Sequence, residues 1–184
     1  LEKIAQLHAN QFHYQDAART YEKLLAQAEA QGNTQTVINY LEQLKNWYEQ
    51  ADNPEAGIET KQRLIEIYQE QNNLDALPTL MVALAEDYQK LEQFAQASRT
   101  YQDAFKLARS QQKYAIAAIA LENLAELYRN DSSLDTTLDI YQQLIVIQEQ
   151  SYDYYGLMVT YDKIGEIYQQ QNHQKQARIA YEKA

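Results

Sequence analysis

The acidic side chains of the chain recur at a regular spacing. Glu86, Glu126 and Glu166 are evenly spaced, forty residues apart, and Glu122 and Asp162 precede the last two by four residues. Residues four apart lie on one face of an α-helix, where like charges repel mildly. Such a row of carboxylates suits a basic or polar segment of a partner. A divalent metal between carboxylates is a weaker alternative, since no loop offers carbonyl ligands, and an acidic face that meets only water is the third interpretation.

The histidines do not form a recognisable metal or catalytic motif. His8, His13 and His173 are the 3 histidines of the chain, and none lies four residues from another, the spacing of a helical zinc motif. We therefore predict that they are structural and that no metal is bound. The chain has no cysteine, and it lacks a nucleophile elbow, a phosphate loop and a dinucleotide fingerprint. The sequence thus predicts no catalytic residue, no cofactor and no enzyme activity.

Composition limits the elements that can hold these side chains. Only 4 glycines and 2 prolines occur in 184 residues, which favours an all-α chain over a turn-rich β fold. With 16 Lys and Arg against 26 Asp and Glu, the net charge of −10 argues against a nucleic-acid partner. No long apolar run and no signal peptide are present, so we expect no membrane partner and a cytoplasmic location. Because the chain begins at Leu1 without Met and ends within a repeat, we expect a fragment of a longer protein.

Apolar and small residues repeat through the whole chain with a period of forty residues. The columns read Leu1, Leu41, Met81, Leu121, Tyr161; Ile4, Leu44, Leu84, Leu124, Ile164; His8, Tyr48, Tyr88, Tyr128, Tyr168; Ala17, Gly57, Ala97, Thr137, Ala177; and Tyr21, Lys61, Tyr101, Tyr141, Tyr181. Within each repeat the apolar spacing of three and four residues is that of two amphipathic helices. The period therefore predicts five helical hairpins, with the tyrosine columns in the core.

Breaks between the apolar stripes give the helix boundaries. Asn53 precedes Pro54 as a cap residue precedes a proline at the first helical position, and Pro78 falls in the first turn of its helix. The sequence predicts helices over 1–10, 14–31, 34–50, 54–71, 75–91, 94–111, 114–130, 134–151, 154–171 and 174–184. They group into repeats of about 1–33, 34–73, 74–113, 114–153 and 154–184, which we expect to form one solenoid domain over 1–184.

The pattern resembles the tetratricopeptide repeat (TPR). The fifth repeat shows it best, with Tyr161, Ile164-Gly165, Tyr168, Ala177, Tyr181 and Ala184. Repeats of this length are similar to the long-helix repeats of kinesin light chain and of bacterial signalling proteins. The second repeat departs from the pattern at Lys45, Gly57 and Lys61, where we expect weaker stacking.

The resemblance implies a right-handed superhelical solenoid whose first helices line a concave groove. It places eight polar residues in that groove: Glu42, Asn46, Glu86, Glu122, Asn123, Glu126, Asp162 and Glu166. We predict a protein-interaction module that binds a basic or polar segment there. The alternative is a structural spacer or self-assembly element of a larger protein, with end-to-end association through its terminal repeats.

Overall fold

The chain is all α-helical. A computed structural model describes residues 1–184. The ten helices are α1 (Glu2–Asn10), α2 (Tyr14–Ala30), α3 (Thr34–Gln50), α4 (Pro54–Glu70), α5 (Leu77–Lys90), α6 (Phe94–Ser110), α7 (Tyr114–Asn130), α8 (Leu134–Ser151), α9 (Tyr154–Gln170) and α10 (Gln174–Tyr181). Each predicted helix is present, and the predicted all-α fold is confirmed. None of the helices combines the length and the hydropathy that crossing a bilayer requires.

The connections between helices repeat one backbone conformation. Each of the nine connections has one residue with positive φ, and these residues are evenly spaced along the chain: Phe12, Gly32, Asp52, Asn72, Glu92, Gln112, Ser132, Tyr152 and Asn172. The next residue donates its N–H to a carbonyl five residues earlier, as Asn53 does to Tyr48 at 3.0 Å. This bond closes the end of the preceding helix. Only Gly32 is a glycine, so the turn is set by helix-end hydrogen bonds rather than by glycine.

The start of α5 differs from its prediction and from the other helices. It begins at Leu77 and has 14 residues, whereas helices such as α4 and α7 have 17. A helix that began at the predicted residue Asp75 would need an N–H from position 78 to bond the carbonyl of Leu74, and Pro78 has no N–H to donate. The start at Leu77 keeps Pro78 in the first turn, as predicted, where no such bond is needed. Pro54 begins α4 as predicted, with the Asn53 side chain accepting a hydrogen bond from the Ala56 N–H at 3.2 Å.

The chain forms two compact bodies, an N-terminal body (Leu1–Ala97) and a C-terminal body (Ser98–Ala184). In the N-terminal body, small and branched side chains such as Ala17, Leu41 and Leu64 are fully buried where consecutive helices pack. In the C-terminal body, Leu121, Tyr141 and Leu144 are buried in the same way. Burial of these apolar stripes stabilises helices that would be marginal alone. The expectation of one domain over 1–184 stays a prediction.

The two tyrosine columns differ in burial. In the second helices, Tyr21, Tyr101 and Tyr141 are buried as predicted, whereas the prediction is wrong for Tyr181, which is 39% exposed. In the first helices, only Tyr48 is fully buried, and Tyr88 and Tyr128 are half-buried with hydroxyls that reach hydrogen-bond partners. Tyrosine suits both positions because it joins a large apolar ring to a polar end.

Candidate functional site

The eight residues predicted to line a groove all lie on first helices. Glu42 and Asn46 are on α3, Glu86 is on α5, Glu122, Asn123 and Glu126 are on α7, and Asp162 and Glu166 are on α9. None of them is fully buried. The first three belong to the N-terminal body and the other five to the C-terminal body.

Glu42 makes contacts within the protein through both of its carboxylate oxygens. Lys45 Nζ lies 2.5 Å from Oε2, and the Tyr68 hydroxyl donates to Oε1 at 2.8 Å. Burial and this hydrogen bond raise the pKa of Tyr68 to about 12, since both stabilise the neutral phenol. Both carboxylate oxygens of Glu42 are therefore engaged within the protein, and Lys45 compensates its charge.

One arginine and two carboxylates of the C-terminal body lie around a buried tyrosine. Arg129 Nη2 lies 3.2 Å from Glu166 Oε2. Burial raises the pKa of the neighbouring Tyr141, Glu126 and Glu166 raise it further, and Arg129 lowers it. Because all three charges act on one buried phenol, Glu126 and Glu166 lie in the same electrostatic environment.

The remaining acidic residues of this face meet one lysine. Desolvation by the surrounding protein raises the pKa of Glu122, Lys163 lowers it, and Asp153 raises it. Asp162 is exposed on the same helix as Lys163. The first helices of the C-terminal body thus hold more carboxylates than cations, and the predicted acidic residues there are only partly neutralised.

A buried ion pair replaces an aromatic pair in the N-terminal body. Lys61 Nζ lies 2.6 Å from Asp87 Oδ2 and 3.0 Å from Glu49 Oε1, and only 1% of the Lys61 side chain is exposed. The equivalent residues forty positions earlier, Tyr21 and Trp47, are rings in contact with centroids 6.4 Å apart. Both pairs have the same separation in sequence. Lys61 stands out in the sequence as a departure from the repeat pattern, whereas its partner Asp87 was not predicted.

Gly57 belongs to the same cluster. A Cβ atom at this position would lie 2.6 Å from Asp87 Oδ2. Because that distance is shorter than van der Waals contact, the glycine makes room for the Asp87 carboxylate. The Gly57 and Lys61 departures thus serve one buried polar cluster.

The structure also brings together two histidines and an aspartate that the sequence pattern does not connect. One imidazole nitrogen each from His8 and His13 and one carboxylate oxygen from Asp16 lie within 4.8 Å of one another. His8 is in the last turn of α1, His13 caps α2 and Asp16 is in the first turn of α2, so one tight connection brings them together. Their separations of five and three residues across a turn do not match a helical metal motif, and for this reason they were not predicted as a group.

Comparison with known proteins assigns the repeat. Residues 116–184 match the family model of the tetratricopeptide repeat. The structure matches a Podosopora anserina protein described as a kinesin light chain with nearly identical TPR-like repeats. The match covers 99% of this chain and 90% of that one, with 13% identity and a TM-score of 0.71. It also matches BtubC (BKLC) from P. vanneervenii, over 97% of this chain and 74% of that one, with 18% identity and a TM-score of 0.72.

The predicted resemblance to the tetratricopeptide repeat is confirmed, since the family model matches residues 116–184 and a structure of the same fold consists of TPR-like repeats. The family match covers the last repeats, and the residue columns carry the same pattern through the earlier ones. Proteins of this family are generally interaction scaffolds rather than enzymes. The structure also matches aspartyl phosphate phosphatase F of Bacillus subtilis (16% identity, TM-score 0.73), of which this chain covers 48%. Identities this low show the fold alone. No curated protein sequence is significantly similar to the chain.

The TPR period places two clefts at equivalent positions. The N-terminal body has a cleft of about 270 Å³, and the C-terminal body has one of about 390 Å³. Each residue that lines the C-terminal cleft has an equivalent three repeats earlier that lines the N-terminal cleft. Each cleft lies between two second helices, over the first helix that connects them. Glu59 of the first cleft corresponds to Ile179 of the second, so the two clefts differ in chemistry although their geometry is shared.

Apolar side chains are exposed on the first TPR helix. Leu1, Ile4 and Leu7 at α1 are 52%, 49% and 56% exposed, and their spacing of three places them on one helical face. Ile179 of the C-terminal cleft is 45% exposed. Contiguous exposed apolar surface of this kind is typical of contact with another protein surface.

Proposed function

We propose that this TPR chain is an interaction module that binds a basic segment of a partner protein along its acidic first helices. The fold supports an interaction role in general, and the surplus of carboxylates over cations on α7 and α9 supports a basic ligand. A rigid helical scaffold loses little conformational entropy on binding, so modest charge complementarity is sufficient for specific recognition.

Within each body, the predicted residues contribute unequally to the proposed binding of a basic segment. Glu122, Glu126 and Asp162 have the least direct compensation, because Glu42 and Glu166 contact a cation of the protein itself. A basic ligand competes with Arg129 for Glu166 and with Lys45 for Glu42. Asn46 and Asn123 carry no charge and contribute hydrogen bonds, whereas Glu86 is a further exposed carboxylate of the N-terminal body.

Selection of peptides and charge reversal test this proposal. The protein is incubated with a library of random peptides at low salt, and retained peptides are measured by fluorescence anisotropy over a salt series. We expect enrichment in Lys and Arg and an affinity that falls with salt. Glu122→Lys/Glu126→Lys should weaken the selected peptides about tenfold or more, given up to ~1 kcal/mol for each exposed charge pair lost.

The matched control reverses two exposed acids of a second helix, Asp139→Lys/Glu149→Lys, and so changes the net charge equally. It should leave affinity nearly unchanged. Retained peptides without a charge bias, or equal weakening by both double variants, would contradict the acidic site. Self-assembly of the chain would then be the better description.

Self-assembly is the second candidate, and the exposed face of α1 favours it. Leu1, Ile4 and Leu7 offer an apolar stripe, and the C-terminal cleft of a second copy offers Ile145, Ile164 and Ile179. Sedimentation velocity over a concentration series tests this association. Ile4→Glu should abolish any oligomer, whereas Gln6→Glu on the same helix should not. A protein that stays monomeric at high concentration would exclude this candidate.

A further inference from the structure

The N-terminal hairpin presents nitrogen and oxygen donors in a set that metal ions recognise. Two imidazoles and one carboxylate, with donor atoms within 4.8 Å of one another, surround the connection between α1 and α2. Two histidines and an acid are a common ligand set for zinc sites that leave a further position open. His13 and about half of the Asp16 side chain are exposed, so both can rotate toward an ion.

His8 lacks a partner that a metal would supply. Its Nδ1 atom is buried and makes no hydrogen bond. A buried polar atom without a partner is destabilising, and a metal ion bound through Nδ1 supplies the missing partner. The Asp16 carboxylate has one competing contact, Arg19 Nη1 at 3.3 Å, which is an exposed pair of low energy.

The fifth repeat shows the same turn without the ligand set. His173 occupies the position of His13, four repeats later, and its ring lies 6.2 Å from the Tyr168 ring at 47°. The corresponding rings of His13 and His8 are 6.4 Å apart at 40°. The geometry of the turn is thus a property of the repeat, and the metal-binding chemistry depends on which residues stand at the three positions. In the fifth repeat Tyr168 and Gln176 replace His8 and Asp16.

We propose that His8, His13 and Asp16 bind a divalent transition metal, for which Zn²⁺ is the probe. A tetrahedral zinc site with bonds of about 2.0–2.2 Å brings ligand atoms to roughly 3.3–3.5 Å from one another. The donors therefore approach by small side-chain rotations, with no change in the backbone of the turn. The ion joins the end of α1 to the start of α2 and leaves a coordination position open to solvent or to a side chain of a partner.

Zinc titration of the untagged protein tests the site. Isothermal titration calorimetry should give one Zn²⁺ per chain, and His13→Ala should weaken binding at least about 100-fold, since loss of even an outer-shell group costs about 10–100-fold. Asp16→Asn should weaken it in the same direction. His173→Ala is the matched control and should leave the affinity unchanged. Circular dichroism of each variant confirms that the helices are retained.

Two readouts separate this site from zinc on surface carboxylates. Zinc should shift the imidazole ¹⁵N resonances of His8 and His13 and leave those of His173 unchanged. Tyr168→His/Gln176→Asp should raise the stoichiometry from one to two, because it rebuilds the ligand set at a turn of the same geometry. Affinity that is equal in the wild type and in His13→Ala, or a stoichiometry that stays at one in the transplant, would overturn the proposal.

Discussion

Removing one partner of the Lys61–Asp87 pair should destabilise the protein far more than removing both. The two side chains are 1% and 6% exposed with a contact of 2.6 Å, so a single substitution strands a charge in the interior. Losses of about 3–5 kcal/mol are usual in that situation. The loss of stability for Asp87→Leu should lie near the lower end of this range, because Lys61 keeps its contact with Glu49 at 3.0 Å. Lys61→Met should fall near the upper end, because it leaves Asp87 buried without its cation.

The double variant Lys61→Met/Asp87→Leu should be close to the wild type or more stable. The pKa of Asp87 is raised, because burial, together with the nearby charge of Glu49, outweighs the lowering by Lys61 and Lys90. The cations therefore do not fully offset the cost of placing this carboxylate in the interior. Apolar replacement of both partners removes that cost, and such replacements are neutral or stabilising by about 1–4 kcal/mol. The coupling energy between the two sites is therefore expected to reach about 5 kcal/mol or more.

Urea denaturation followed by circular dichroism gives the four free energies of this cycle. Amide hydrogen exchange in α4 and α5 checks that the loss is local, as expected for a repeat protein. The same cycle on the exposed pair Lys106–Asp103, at 3.4 Å, is the control and should couple by less than ~1 kcal/mol. Single variants that each cost less than ~1 kcal/mol and add without coupling would refute the reasoning, since they would show that water compensates Lys61 and Asp87.

Four further outcomes follow from the packing and the turns. Tyr68 has a folded pKa of about 12 against an ordinary value of 10.0, so the stabilisation from its neutral phenol is complete below pH 10 and is lost as the pH rises through 12. The difference in free energy of unfolding between the wild type and Tyr68→Phe, measured in urea melts, should therefore shrink over that range. A difference that stays constant with pH would contradict this expectation. Gly165→Ala should cost about 1–3 kcal/mol, because the added Cβ meets the Tyr181 ring; unchanged hydrogen exchange in α10 would show that the ring moves aside freely. Asn53→Ala removes the cap of α4 and should cost about 1 kcal/mol in urea melts, whereas Asn53→Asp should retain most of the stability. Deletion of residues 33–72, which joins two equivalent turns, should give a protein with the same helicity per residue by circular dichroism, and a coil spectrum would argue against interchangeable turns.

The fold could be predicted from the sequence because one pattern is repeated. The apolar columns fix which face of every helix is buried, and Asn53-Pro54 marks a helix start by local chemistry alone. The helix α5 starts two residues later than predicted, because Pro78 has no N–H and can lie only in the first turn, which a start at Asp75 does not allow. The left-handed residues were not predicted, because side chains as different as Phe12 and Glu92 occupy that conformation.

The polar contacts were harder to predict because they join residues far apart in the sequence. Whether Glu166 is exposed or paired depends on the conformation of Arg129, 37 residues away. The buried ion pair did leave a signal: Lys61 and Asp87 replace the aromatic residues Tyr21 and Trp47 of the preceding repeat, with the same separation in sequence. Comparison of paired columns, rather than of single ones, would have found it.

The uniform turns have a consequence for how such a chain can change in length. The backbone conformation recurs with every helix, whereas the side-chain pattern recurs only with every hairpin. Recombination between two turns that are one hairpin apart therefore preserves both the backbone conformation at the junction and the buried face of each helix. An exchange over a single helix keeps the junction but puts a second helix where a first helix belongs, which exposes its apolar face. The chain is thus expected to gain and lose whole hairpins, and a genetic event that removes half a hairpin should be selected against.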